Sequence, residues 1–127
     1  MRTPHGDMVE LLSATATHAK GPRLTIEAEI SYELVSRPEG VIRLRLGSQG
    51  GASYGDPRAR SSVTRGAGTS NLVLEVDPAD ASKSLSAHRA CLQIGLGYWA
   101  KDDPKQPGFH YLVWEHLDQY CYSLNPP

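Results

Sequence analysis

From Arg23 to Leu46 apolar and polar residues alternate with a period of two, and this pattern restricts the fold more than anything else in the chain. Leu24, Ile26, Ala28, Ile30, Tyr32 and Leu34 hold the even positions, and Thr25, Glu27, Glu29, Ser31 and Glu33 hold the odd ones. Ile42, Leu44 and Leu46 resume the even set around Arg43 and Arg45. Side chains on a strand point alternately to opposite faces, so one face of the segment meets a core and the other meets water. Pro38, Glu39 and Gly40 have the composition of a turn, because proline presets a negative φ and glycine tolerates a positive one. The segment is therefore expected to be a two-stranded antiparallel hairpin that pairs Leu34 with Ile42, Glu33 with Arg43 and Ser31 with Arg45. Opposite charges across such a ladder contribute roughly 0.2–1 kcal/mol each and favour this register over its slips.

Further strands are expected on either side. Met8 to His18 places Leu12, Ala14, Ala16 and His18 on one face before Lys20, Gly21 and Pro22 break it. From Gly47 to Thr69 the chain is glycine-rich and loop-like, with the Gly50–Gly51 pair, a short edge strand at Ser62 to Arg65 and a turn or bulge at Gly66 to Gly68. Leu72, Leu74 and Val76 alternate again. Asp77 followed by Pro78 has the form of an N-cap with proline at the first helical position, which predicts a brief helical turn over 78–84. Leu92, Ile94, Leu96 and Tyr98 predict a strand from about Ala87. After a loop from Lys101 to Gly108, Phe109 to Leu117 and Tyr120 to Leu124 read as the last two strands, and Pro126 and Pro127 end the ladder.

Seven to eight short strands with at most one short helical turn predict an all-β chain, an antiparallel β-sandwich forming a single domain over residues 1–127. A chain of 127 residues is long enough to bury a core without several disulfides or metals. Thirteen Lys and Arg stand against fourteen Asp and Glu, so no global field draws the chain to nucleic acid. No apolar run approaches the roughly 20 residues that span a bilayer, so a soluble protein without membrane insertion is expected. Met1 to Glu10 is polar and contains Pro4, unlike a secretory signal. The protein is expected either to stay inside the cell or to be the mature part of a secreted or cell-surface precursor. Cys91 and Cys121 fit no C-x-x-C spacing. They form one disulfide between neighbouring strands in an oxidising compartment, or two thiols buried as small apolar residues in a reducing one.

The succession Leu24 to Leu34, Val41 to Leu46, Val63 to Thr69 with its Val-x-Arg-Gly-x-Gly core, and Leu72 to Val76 resembles immunoglobulin-like or fibronectin-III-like modules of bacterial proteins. The resemblance covers roughly residues 22–98. It implies a scaffold that binds or displays, and it carries over no catalytic residues.

Chemistry must then come from individual side chains. All aromatic residues except Tyr32 and Tyr54 fall between Tyr98 and Tyr122. On a strand Phe109, Tyr111 and Val113 share one face, and His110, Leu112, Trp114 and His116 share the other. Both faces cannot be buried equally, so a ligand-binding end built from Tyr98, Trp99, Phe109, Tyr111 and Trp114 is expected, with Trp99 the ring most exposed. Charge is uneven as well. Arg37, Arg43, Arg45, Arg58, Arg60 and Arg65 cluster in sequence against only Glu39 and Asp56, whereas residues 75–118 are mainly acidic. Arg43, Arg45, Arg58, Arg60 and Arg65 form the candidate patch for an anion or a charged partner.

No metal site and no cofactor are expected. His110 and His116 on one strand stand about 20 Å apart at roughly 3.4 Å per residue, too far to share a zinc ion. Calcium is the alternative cofactor, drawn from Asp77, Asp80, Asp102, Asp103 and Asp118, although their spacing matches no EF-hand. His116 and Asp118 read as a surface hydrogen bond. Nucleophile-elbow, zinc-protease, Walker and dinucleotide motifs are absent, and His88 and Cys91 would face opposite ways on a strand. The expected function is a non-catalytic binding or interaction module that recognises a protein surface or a glycan through its aromatic-rich end. A structural subunit forming homo-oligomers is the alternative, and a small hydrolase on a sandwich scaffold the more distant one.

Overall fold

The computed structural model describes residues 2–17, 23–48, 52–101 and 104–124. His18, the Lys20-Gly21-Pro22 break, the Gly50–Gly51 pair, Asp102, Asp103 and the Pro126–Pro127 tail lie outside the described residues. The described residues are all-β apart from one short helix. Its elements are β1 (Met8–Thr17), β2 (Leu24–Gly47), β3 (Ser53–Val76), α1 (Pro78–Leu85), β4 (Arg89–Trp99) and β5 (Phe109–Ser123).

All five strands belong to one antiparallel sheet that curls into a half-barrel. β3 runs along one edge of β2 from Leu24↔Val76 to Gly47↔Ser53. The other edge of β2 is shared: β1 pairs with its first half, Met8↔Glu33 to Thr17↔Thr25, and β4 with its second, Val41↔Gly97 to Gly47↔Cys91. β5 lies outside β4.

The hairpin expected at Pro38-Glu39-Gly40 does not form. β2 continues through these residues as a strand of 24 residues, and its long partner is β3. Glu33 faces Ala67 and Met8, Arg43 faces Arg60 and Gly95, and Arg45 faces Gly55 and Gln93. The reason lies in parity. Paired residues in an antiparallel ladder share a face, so a hairpin matching two even positions and an unbroken strand bury the same even side chains. The period determines the face and is silent on the connection. The loop-like reading of 53–69 fails for a related reason. Gly55 lies under the Arg45 guanidinium and Gly68 under the Tyr32 ring, where a Cβ would come within 2.8 Å of each, so these glycines mark close approach inside a strand. Five strands thus replace seven or eight because β2, β3 and β5 each absorb two of the short ones.

Strands this long bend at irregular points. Val35, Ser36, Arg37 and Pro38 on β2 stand against Arg65 alone, beside Gly66 at φ +128°. Asp56, Pro57, Arg58 and Ala59 on β3 stand against Leu44 alone. Each bend frees backbone donors, and each is braced by an aspartate. Buried Asp7 accepts from Val35 N–H at 2.8 Å, Ser36 N–H at 3.0 Å and the Ser36 hydroxyl at 2.6 Å. Asp56 accepts from Arg58 N–H and from its guanidinium, both at 2.9 Å.

The concave face holds the core. Leu24, Ile26, Ala28, Ile30, Leu34, Ile42, Leu44 and Leu46 are buried, as the alternation requires, with Leu72, Leu74, Val76, Leu92, Ile94 and Leu96 against them. On β1 the register shifts at Leu12, so Val9 and Leu11 point inward before it and Ala14 after it, while Leu12 itself is exposed. Helix α1 begins as predicted, with Asp77 accepting from Ala79 N–H at 3.0 Å, and buries Ala81 and Leu85. Among the described residues no helix is long and apolar enough to cross a membrane.

Candidate functional site

On β4 the side chains of Leu92, Ile94 and Leu96 point into the core, so Gln93, Gly95, Gly97 and Trp99 face outward. Glycine at 95 and 97 clears a track along the outer face. Across it lie the rings of Tyr111 and Phe109 from β5, whose backbones pair with Gly97 and Trp99. A Cβ at Gly97 would come within 2.7 Å of the Phe109 ring, and one at Gly95 would collide with the edge of Tyr111. This is aromatic cover of glycine across a strand pair.

The rings therefore reach β2 and its arginines. The Arg43 guanidinium carbon lies 4.4 Å from the Phe109 ring centre, 5.8 Å from Tyr111 and 6.0 Å from Trp99, and that of Arg60 lies 5.7 Å from Trp99. Trp99 meets Phe109 edge-on at 5.1 Å, and Phe109 meets Tyr111 edge-on at 5.0 Å. These are the separations at which ring quadrupoles attract cations and one another. Trp99 is 43% exposed and Tyr111 42%, so the platform is open to a ligand.

Electrostatically the patch is unbalanced. Arg43 and Arg60 are direct partners across β2 and β3, an arrangement that destabilises a ladder. Among the described residues no carboxylate pairs with Arg43, Arg45 or Arg60. Burial, and then the neighbouring charges of Arg45 and Arg60, pull the Arg43 pKa below its usual value against the opposite influence of Tyr111. Arg45 Nε is buried without a hydrogen-bond partner. The three arginines, Gly55, Asp56, Pro57 and Trp99 border a recess of about 210 Å³, in which the one carboxylate, Asp56, is already paired with Arg58. Such a site presents planar donors beside apolar ring faces, the arrangement that binds carboxylate, sulfate or phosphate groups carried on a flat apolar body.

The expected residues divide between this site and other places. Arg43, Arg45 and Arg60 join Trp99, Phe109 and Tyr111. Arg58 is held by Asp56, and Arg65 stands at the Gly66 bend. Tyr98 points the other way from Trp99, stacked on His110 at 5.5 Å and covered by Arg37 at 3.6 Å, in a cleft of about 660 Å³ at the sheet end. The faces expected for β5 are corrected by a bulge at Leu112, which resets the alternation. Phe109 and Tyr111 therefore share the outer face with Trp114 and His116, and Val113 turns inward opposite Leu96. Trp114, 51% exposed opposite Gly95, extends the aromatic surface. Cys91 and Cys121 are disulfide-bonded across β4 and β5. Asp77 caps α1.

Sequence reasoning listed the aromatic residues and the arginines apart and missed Gly95 and Gly97, which unite them. The signal was present as matched i,i+2 spacings, Gly95 with Gly97 and Phe109 with Tyr111. A Gly95→Ala chain is expected to lose about 1 kcal/mol, because Tyr111 can swing clear of the new methyl group, and to lose the Tyr111–Arg43 contact with it. Near-ultraviolet circular dichroism and denaturant unfolding read the two effects separately. Compared with known proteins, the chain matches no family model, no curated protein and no solved structure.

Proposed function

We propose that the protein is a non-catalytic binding module whose outer face recognises an anionic partner, with an anionic glycan as the best fit and an acidic protein surface as the other candidate. The observation that carries this reading is the Arg43–Arg60 pair, two like charges placed directly opposite each other beneath exposed rings with no carboxylate partner among the described residues. An anion seated there relieves the repulsion and satisfies Arg45 Nε, while a sugar ring stacks on Trp99. The accompanying scaffold is a sandwich of immunoglobulin-like type in which the halves of β2 and β3, divided at their bends, serve as separate strands in two facing layers. Burial of the even side chains in both halves of β2 supports that description.

Titration with a sulfated oligosaccharide is expected to quench tryptophan fluorescence, to weaken with salt, and to fail with the unsulfated sugar. Trp99→Ala and Arg60→Gln are each expected to weaken binding at least about tenfold, equivalent to about 1.4 kcal/mol. Arg60→Gln should also leave the fold as stable or a few tenths of a kcal/mol more stable, since a like-charge pair is removed. Binding of an acidic peptide instead would assign the partner to the protein class, and no response to either ligand would refute the reading.

A specific observation also favours assembly. The outer edge of β3 pairs with no strand among the described residues, and an edge of 24 residues is a template for a second chain. Light scattering would then give a mass well above 13.8 kDa, and a monomer would exclude this route.

A further inference from the structure

A second cluster lies on the same outer face toward the other end of β4. Cys91 and Cys121 are direct partners across β4 and β5, with their Sγ atoms bonded. His116 faces Gln93, the next outward position on β4, and Asp118 lies where the β5 register shifts between Leu117 and Cys121. The Cys91 sulfur, a His116 ring nitrogen and an Asp118 carboxylate oxygen all lie within 4.8 Å of one another. His116 Nε2 is buried and faces Asp118 Oδ1 at 3.2 Å, the contact expected from their i,i+2 spacing. The other ring nitrogen, Nδ1, is 3.2 Å from the Gln93 side-chain amide. Sulfur, imidazole nitrogen and carboxylate oxygen thus converge on one spot of the outer face, with the imidazole already facing the carboxylate.

We infer that Cys91, Cys121, His116 and Asp118, once the disulfide is reduced, form a site for a thiophilic divalent cation of the Zn²⁺ class. Two thiolates, an imidazole and a carboxylate are a complete tetrahedral donor set for zinc, and two sulfurs disfavour magnesium or calcium. At zinc bond lengths of about 2.0–2.3 Å, ligand atoms of a tetrahedron stand roughly 3.3–3.8 Å apart, so the Cys91, His116 and Asp118 atoms, now within 4.8 Å, close with side-chain adjustments of about 1 Å, while Cys121 Sγ moves away from Cys91 Sγ on reduction to take the fourth position. With the Gln93 amide turned so that its oxygen accepts from Nδ1–H, the imidazole is held in the tautomer whose Nε2 lone pair faces the metal. The site is gated by redox state. A water-soluble phosphine breaks the Sγ–Sγ bond and is oxidised to its phosphine oxide, with water supplying the oxygen and the two protons that complete the thiols. Metal binding then releases both thiol protons to solvent. In the oxidised chain only His116 and Asp118 remain as donors, too few for tight binding.

The test uses the full chain reduced with a phosphine under nitrogen and titrated with Co²⁺ as a spectroscopic probe. The expected result is one equivalent bound, with thiolate-to-cobalt charge transfer and the visible bands of a tetrahedral site, both removed by one equivalent of Zn²⁺. The oxidised chain shows neither. His116→Ala and Asp118→Asn each weaken Co²⁺ binding at least about tenfold while the far-ultraviolet circular dichroism is unchanged. A reduced chain that unfolds and regains its strand signal on adding Zn²⁺ supports the site equally. A folded reduced chain with no stoichiometric band overturns it, as does undiminished affinity in His116→Ala, or a reduced chain that stays unfolded in Zn²⁺.

Discussion

Asp7→Ala is expected to destabilise the fold by about 3 kcal/mol, more than any surface change, because it strands three donors at once in a buried bend. Val35 N–H, Ser36 N–H and the Ser36 hydroxyl have Asp7 as their acceptor where β2 leaves its ladder with β3, and Asp7 is only 2% exposed. Burial alone would raise the Asp7 pKa, but the hydrogen bonds from Ser36 and Val35 outweigh it and hold the carboxyl below its ordinary value. A folded-state pKa below the unfolded one means the carboxylate stabilises the fold fully above about pH 4, and that contribution is lost as the pH falls through the lower, folded value. Asp7→Asn separates charge from geometry. Its carbonyl oxygen takes the place of Oδ1 for both N–H groups and its amide donates to the Ser36 oxygen, so a loss of only about 1 kcal/mol is expected at neutral pH. That loss should shrink as the pH falls below about 4, where the unfolded chain takes up a proton that the native carboxylate resists down to its lower, folded value. Urea unfolding across pH measures all of this. Equal midpoints for Asp7→Ala and the native chain would show that the bend needs no brace.

Gly97→Ala is the second large effect, with an expected loss of about 3 kcal/mol. The added Cβ would collide with the backbone carbonyl oxygen of His110 and come within 2.7 Å of the Phe109 ring. A ring can rotate away, whereas a backbone carbonyl moves only if β5 separates from β4 or slips in register. The contrast with Gly95→Ala is therefore diagnostic. Both remove a ring contact from Arg43, but only Gly97→Ala should lower the unfolding midpoint steeply and bring hydrogen exchange to the start of β5. Comparable midpoints for the two variants would mean that β5 is not seated on Gly97 as described.

Much of the fold is legible in the sequence. The inward set from Leu24 to Leu46 and the Asp77 cap with Pro78 follow from local pattern, whereas Cys91 and Cys121 read equally as a disulfide or as two thiols until β4 and β5 pair. The arginine and aromatic residues of the candidate site were named individually, yet the alternation sorted β5 wrongly. A single bulge at Leu112 exchanges the two faces, and its cause is register against β4, which no residue of β5 announces.

What the sequence alone determined was which side chains are apolar at period two, and hence which face of each strand is buried. Connection, partner and register were decided only by tertiary structure. An antiparallel ladder keeps the same parity whether the chain turns back at Gly40 or runs on to Gly47, so local chemistry left the choice to long-range pairing. That choice set Arg43 against Arg60 and laid Phe109 and Tyr111 over glycine, which made the candidate site.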